Sequence, residues 1–371
     1  MKKSQTLASL CLALAVCLAA AAAAGGEAGD PLISLSYLEG AFSQSLEAAA
    51  EGRLDAGDEQ VREEVHRRLE AMAANLAAAS GQALSPQERT LKQGDVLTGS
   101  TGLVVTLLAG EAVLTADSGG VVDVTEGREA LSGQALPLRH RCIAAEDALV
   151  SYTVTSPTAV VSFEGPCALT ASAGVPDYFA IASALRELDL FRGTGSTIGE
   201  GFDLHLAPTR GEGLVMFIRL LGEESDAVAC TYTHPFADVP AWLDRYVAWA
   251  YQRGYANGVA PTRFAPANPL SAVEYQEFLL RALGYSIAGV HDYSTSLERA
   301  LDCGALTNGE YVLLTSQPFS RAHVAYVSYY SLETTVSGSR QTLAQRLEEA
   351  RFFTETQLND AKGLVNSQRV Y

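Results

Sequence analysis

Two short stretches combine residue types that receive anions at the start of a helix. Thr209-Arg210-Gly211-Glu212 and Ser320-Arg321-Ala322-His323 each set a hydroxyl residue and then an arginine before an apolar run. In Thr209-x-x-Glu212, and again in Ser271-x-x-Glu274, the hydroxyl can accept from the amide three residues on while the carboxylate returns to the first amide, the reciprocal capping box. Each such cap stabilises its helix by about 1 kcal/mol. Ser320 keeps the hydroxyl, but with His323 in the fourth position the reciprocal carboxylate is missing, so the third start should be the least firmly fixed. Arg210 and Arg321 follow the cap, where neither capping nor a core requires a guanidinium, and the amides beside them already favour negative charge. That chemistry suits a carboxylate or phosphate. A surface pairing of each arginine with a nearby Asp or Glu is the bland alternative.

Residues for covalent or metal chemistry do not assemble in this way. Glu63, Glu64 and His66 lack a second histidine at ligand spacing, and His205, His234 and His291 share no metal or catalytic spacing. Gly99-Ser100-Thr101-Gly102 lacks the spacing of a nucleophile elbow and reads as a turn. With no Ser/His/Asp set and no paired carboxylates, the expectation is a non-catalytic protein without metal or cofactor.

The elements that must position the arginines follow from periodicity. Val61, Val65, Leu69, Met72 and Leu76 recur at helical spacing, so residues 25–86 read as a linker and an amphipathic helical region. Residues 87–170 change to short Val-, Leu- and Thr-rich runs punctuated by glycines, the pattern of a small all-β sandwich or barrel. From 171 to 335 the period is helical again, and three related helix–loop–helix units recur at about 177–223, 236–285 and 291–333. Residues 336–371 form a tail whose Leu343, Leu347, Ala350, Phe353 and Leu358 predict one amphipathic helix, able to pack on the units or to self-associate. The fold class is therefore multidomain α+β. Trp242, Tyr246 and Trp249 lie at spacings of four and three, a packed helix face or a surface on which a pyranose stacks. Asp238 reads as a cap or turn residue.

Composition narrows the partners. Of 371 residues 26 are basic and 43 acidic, a net charge of −17, which excludes binding to a nucleic-acid backbone. Lysine occurs only at 2, 3, 92 and 362, so planar guanidinium groups carry most of the positive charge. Lys2 and Lys3, the apolar run from Leu7 to Ala20 and the alanines ending at Ala24 predict a secretory signal, residues 1–24, and no membrane span after cleavage. Leu14-Ala15-Val16-Cys17 resembles a lipoprotein box, except that Val16 stands where a small residue is expected. Export permits disulfides. Cys142 and Cys167 flank strand-like segments and can pair across a sheet, one of three connectivities open to four cysteines, and Cys303 on a helical apolar face reads as a buried free thiol.

The helical units resemble S-layer homology repeats. Unit two carries Phe236-x-Asp238-Val239, Trp242, the turn from Gly254 to Gly258 and Phe264-x-Pro266; units one and three carry the helix start as Thr209-Arg210-Gly211-Glu212 and Ser320-Arg321-Ala322-His323. The resemblance implies a three-repeat pseudo-trimer whose inter-repeat grooves bind secondary cell-wall polysaccharide, anionic and often pyruvylated, on a secreted protein held at the cell wall. It also implies ligand contacts at Arg210 and Arg321, with Thr209, Glu212 and Ser320 holding the helix starts and Gly193 and Gly258 as further ligand-binding residues from the turn position; Trp242 joins them as the residue on which a sugar stacks. Unit two departs, with Ala272 where the arginine belongs. The alternative is an envelope interaction protein whose worn repeats no longer hold polysaccharide and whose partners are other envelope proteins. The helix and β region before the repeats suggest no activity.

Overall fold

The computed structural model describes residues 44, 61–68, 85–285 and 293–371. The signal segment, its cleavage near Ala24 and the remainder of the first amphipathic helix lie outside the described residues. The chain divides into two units, residues 1–78 and 79–371. In the first, residues 61–68 are helical, Glu64 pairs with Arg67 and Arg68, and Val61 and Val65 are exposed.

The second unit begins with ten strands in two antiparallel sheets. They are β1 (Gln87–Lys92), β2 (Val96–Ser100), β3 (Val104–Ala109), β4 (Ala112–Ser118), β5 (Val121–Asp123), β6 (Arg128–Ala130), β7 (Arg141–Ala144), β8 (Leu149–Val154), β9 (Thr158–Glu164) and β10 (Cys167–Thr170). One sheet has the order β1-β9-β3-β7-β5-β6 and the other β10-β2-β8-β4. The nested pairs β1 with β9, β2 with β8 and β3 with β7 wind the chain as a jelly roll. Strict alternation produces this: β3 buries Val105, Leu107 and Ala109, and β8 buries Val150, Tyr152 and Val154, so each sheet turns one apolar face inward.

Ser172 leads out of the jelly roll, its amide and hydroxyl both donating to Asp95 at the first turn. The helices follow: α1 (Tyr178–Glu187), α2 (Arg210–Leu220), α3 (Glu224–Val228), α4 (Asp244–Gln252), α5 (Ala272–Ala282), α6 (Ser296–Asp302), α7 (Asn308–Ser316), α8 (Arg321–Ser331), α9 (Leu343–Glu349) and α10 (Glu355–Leu364). Tyr178, Ile181, Leu185, Phe217, Phe278 and Tyr326 meet in one core around α2, α5 and α8. The jelly roll sits against this core, where Glu88 of β1 accepts from the Gly199 amide at 2.7 Å.

Two expectations change. The tail is two helices, α9 and α10, each with its own capping box at Thr342/Gln345 and Thr354/Gln357. The chain breaks between them at Arg351, whose φ of 61° lies in the left-handed region. Leu343, Leu347, Phe353 and Leu358 still join the core formed by the preceding helices, so packing, not self-association, uses this face. Cys142 and Cys167 are not paired. Cys142 points into the sandwich from β7 of the six-stranded sheet, Cys167 sits on the edge strand β10 of the other, and all four described cysteines are free thiols. Cys303 is half-buried, its Sγ 3.5 Å from the Ala300 carbonyl. Denatured protein alkylated with and without prior reduction should therefore incorporate the same amount of label at Cys142, Cys167, Cys230 and Cys303, as read by peptide mass mapping.

Candidate binding site at the helical junctions

Reciprocal caps form at the starts of α2 and α5. Thr209 accepts from the Glu212 amide and Glu212 accepts from the Thr209 amide at 2.7 Å; Ser271 and Glu274 do the same, with 3.0 Å for the return bond. The start of α8 differs from expectation because a histidine replaces the carboxylate: the Ser320 amide donates to His323 Nδ1 at 3.1 Å. This needs an unprotonated Nδ1. Burial supplies that condition, pushing the His323 imidazole down to about 4, where the ring lies stacked on Phe319 and edge-on to Tyr178.

The arginines do not face solvent. Arg210 is completely buried and Arg321 is 6% exposed. Arg210 Nε donates to the Phe264 carbonyl at 3.2 Å, one Nη to the Asn257 carbonyl at 2.8 Å and the other to Glu274 at 2.8 Å, while the guanidinium lies over the Phe264 ring. Arg321 repeats the geometry, with Nε on the Phe202 carbonyl at 2.9 Å, Nη on the Arg192 carbonyl at 3.1 Å and the Phe191 ring beneath it. Among the described residues its remaining Nη meets only the Met216 sulfur, at 3.5 Å. Burial pulls the Arg321 guanidinium below its ordinary value, with Glu212 and Asp203 opposing the shift.

The helix-start amides are engaged as well. Arg210 and Gly211 donate to the Asn268 and Pro266 carbonyls, and Arg321 and Ala322 to those of Leu206 and Leu204. The structure places both arginines in a staple that ties one helix start to a distant loop, because a buried guanidinium needs oxygen acceptors wherever it ends. Thr209, Glu212 and Ser320 set the helix starts, and the glycines allow the loops to close. A Cβ on Gly193 would lie 2.4 Å from the Gly201 carbonyl oxygen, and one on Gly258 would lie 2.6 Å from those of Ala260 and Arg263. Asp238 accepts from the Phe264 and Ala265 amides at 2.8 Å each, holding Ala265 at a φ of 61°. Burial works to raise its pKa, and these amide bonds outweigh that and lower it.

The third junction is built otherwise. Ala272 is buried, and α7 stands in unit three in place of the Phe-containing loop. Glu277 is buried there between Arg281 Nε at 2.8 Å, Ser296 Oγ at 2.7 Å and Arg299. Arg281 of α5 also reaches the Tyr255 carbonyl at 3.4 Å. At the equivalent place in α8 stands Tyr330, and Arg369 from the tail lies over its ring, donating to the Ala305 carbonyl at 3.1 Å and to Glu310 at 2.8 and 2.9 Å. Arg369 carries no periodic signal; only the missing basic residue at position 330 hinted that one must come from elsewhere.

The aromatic residues of α4 separate. Trp249 is buried, Tyr246 is half-buried with its hydroxyl on Glu224 at 3.1 Å, and Trp242 is 59% exposed just before the helix. In the jelly roll, Asp123 accepts from His140 at 2.7 Å and neighbours Cys142 across β5 and β7, but burial first and Asp123 second push that thiol up to about 11. Such a thiol is a poor nucleophile. Among the described residues no group of three His, Cys, Asp or Glu side chains converges on a metal position, and no helix is long and apolar enough to cross a membrane.

Two outcomes follow. Arg210→Ala should lower unfolding free energy by about 3 kcal/mol or more, since it strands two buried carbonyls and Glu274, with Arg210→Lys intermediate, both measured by denaturant titration. His323 has a folded pKa near 4 against 6.5 unfolded, so its contribution is present above pH 6.5 and is lost as pH falls towards 4. That loss is about 3 kcal/mol, and His323→Gln, which keeps an N3 acceptor, should flatten the stability profile across this window.

Against known proteins, residues 235–271 match the S-layer homology domain, from just before Phe236 to Ser271 at the start of α5. No curated protein matches the chain. Among solved structures, the recombinant pro-11S globulin of pumpkin is similar at 12% identity, covering 27% of this chain and 27% of its own, with a TM-score of 0.16. S-layer homology domains bind cell-wall polysaccharide, so the match supports a chain that contains such a domain and associates with the cell surface or wall.

Proposed function

We propose that this is a secreted, non-catalytic envelope protein whose three helical units together form a pseudo-threefold S-layer homology anchor on secondary cell-wall polysaccharide, with the jelly roll displayed from it. The observation that carries the reading is the repeated junction. Arg321 makes on the loop of unit one the contacts that Arg210 makes on the loop of the matched unit, Nε to a phenylalanine carbonyl and Nη to the carbonyl before a glycine. The unmatched segments are in this reading units of the matched kind.

The grooves beside the junctions then hold the polymer. Trp242 offers an exposed ring for a sugar face, and Arg210 and Arg321 fix the groove from beneath. A pyruvyl carboxylate would bond these guanidinium groups only by exchanging with a loop carbonyl, a step open more readily to Arg321, whose third donor meets only sulfur among the described residues. A second reading, an anchor to an envelope protein, is favoured by the inward arginines and by Ala272.

Co-sedimentation with native walls and with walls stripped of secondary polymer separates the two. The anchor predicts pelleting with native walls alone and a loss in Trp242→Ala without a change in melting temperature. The net charge of −17 repels an acidic polymer at long range, so retention should persist as salt rises. Equal pelleting with both walls, or with neither, refutes the polysaccharide anchor.

A further inference from the structure

Between the two sheets of the jelly roll, at the edge formed by β1 and β10, the sandwich stays open. The opening has a volume of about 330 Å³ and is lined by Gln87, Arg89, Leu97, Phe163, Cys167 and Leu169. Register explains why these side chains meet. Gln87 faces Phe163 across β1 and β9, Leu97 faces Leu169 across β2 and β10, and Gly99 faces Cys167. Arg89 shares its strand face with buried Leu91 and lines the mouth of the opening, where it remains exposed.

Arg89 has no hydrogen-bond or ion-pair partner among the described residues. Nearby, two cations of the module are matched: Arg141 grips Glu164 at 3.0 and 3.1 Å, and Lys92 bonds Asp95 at 2.9 Å, whereas Arg89 alone among them lines the opening. An unmatched guanidinium over an apolar floor, on a chain of net charge −17, is complementary to one chemistry. We propose that this mouth binds a small amphipathic carboxylate, its apolar chain against Leu97, Phe163 and Leu169 and its head group on Arg89. The volume lies at the lower end of the ~300–1,000 Å³ typical of small-molecule sites. A charge on an edge strand also discourages strand addition, a role that needs no ligand.

Decanoate is the probe, with decylamine as the same chain carrying the opposite charge, added to the full chain in equilibrium dialysis. Saturable binding of one decanoate is expected, with no displacement by decylamine. Arg89→Gln, a substitution at an exposed position, should weaken it tenfold or more, as should Leu169→Asn through the floor. Alkylation of Cys167, located by peptide mass mapping, should slow with decanoate and not with decylamine. No saturable binding, equal competition by decylamine, or unchanged affinity in Arg89→Gln overturns the proposal. Unchanged affinity together with new self-association of that variant would assign Arg89 to guarding the edge.

Discussion

A guanidinium that loses its water must find oxygen atoms at fixed positions, and that requirement organises the helical half of this protein. The arginine after the cap of α2 finds them at the Asn257 and Phe264 carbonyls and at Glu274, about fifty to sixty residues along the chain. It crosses to another loop and makes that loop's conformation part of its own stability. The same constraint at α8 ties unit three back to unit one. The helical segments are therefore not independent: α2 and α8 are each completed by a loop from elsewhere in the chain.

The departures from this symmetry compensate one another. Ala272 stands where α2 and α8 have an arginine, and in unit three the helix α7 takes the place of a loop. Burial at that interface falls instead to Glu277, held by Ser296 and two arginines. Tyr330 stands where unit two has Arg281, and the tail returns Arg369 to that place through a path of some forty residues. A carboxylate as deeply buried as Glu310 is tolerable only beside a charge of this kind.

The periodic features were legible. Strand alternation marked a small all-β sandwich or barrel from residue 87, without its jelly-roll winding, and the Thr-x-x-Glu and Ser-x-x-Glu patterns marked helix starts that form caps in the structure. What spacing does not encode is direction across units. Arg210 reads as a surface cation because its partners, Asn257 and Phe264, lie about fifty residues away in a loop. His323 was misjudged for a chemical reason: its acceptor role depends on staying neutral, and neutrality comes from burial. In the tail, Thr354-x-x-Gln357 is a second capping signal inside an otherwise continuous apolar pattern, and it ends the first helix where periodicity alone would run on. Cys142 and Cys167 look pairable along the chain, yet the jelly-roll winding assigns them to different sheets.

The inward arginines also constrain how such an anchor can hold a polymer. Binding that relied on them would compete with contacts that maintain the fold, so each bound carboxylate would loosen a junction, and affinity and stability would oppose each other. Exposed groups escape this conflict. Trp242 can stack on a sugar without releasing any internal bond, since only Leu243 beside it is committed to the core. Arg321 lies between these cases, because among the described residues one of its donors meets only a weak sulfur acceptor and could turn to a stronger oxygen at small loss. The proposed wall-binding surface would thus be built from groups at the rim of each junction, with the buried guanidinium groups fixing where those rims stand.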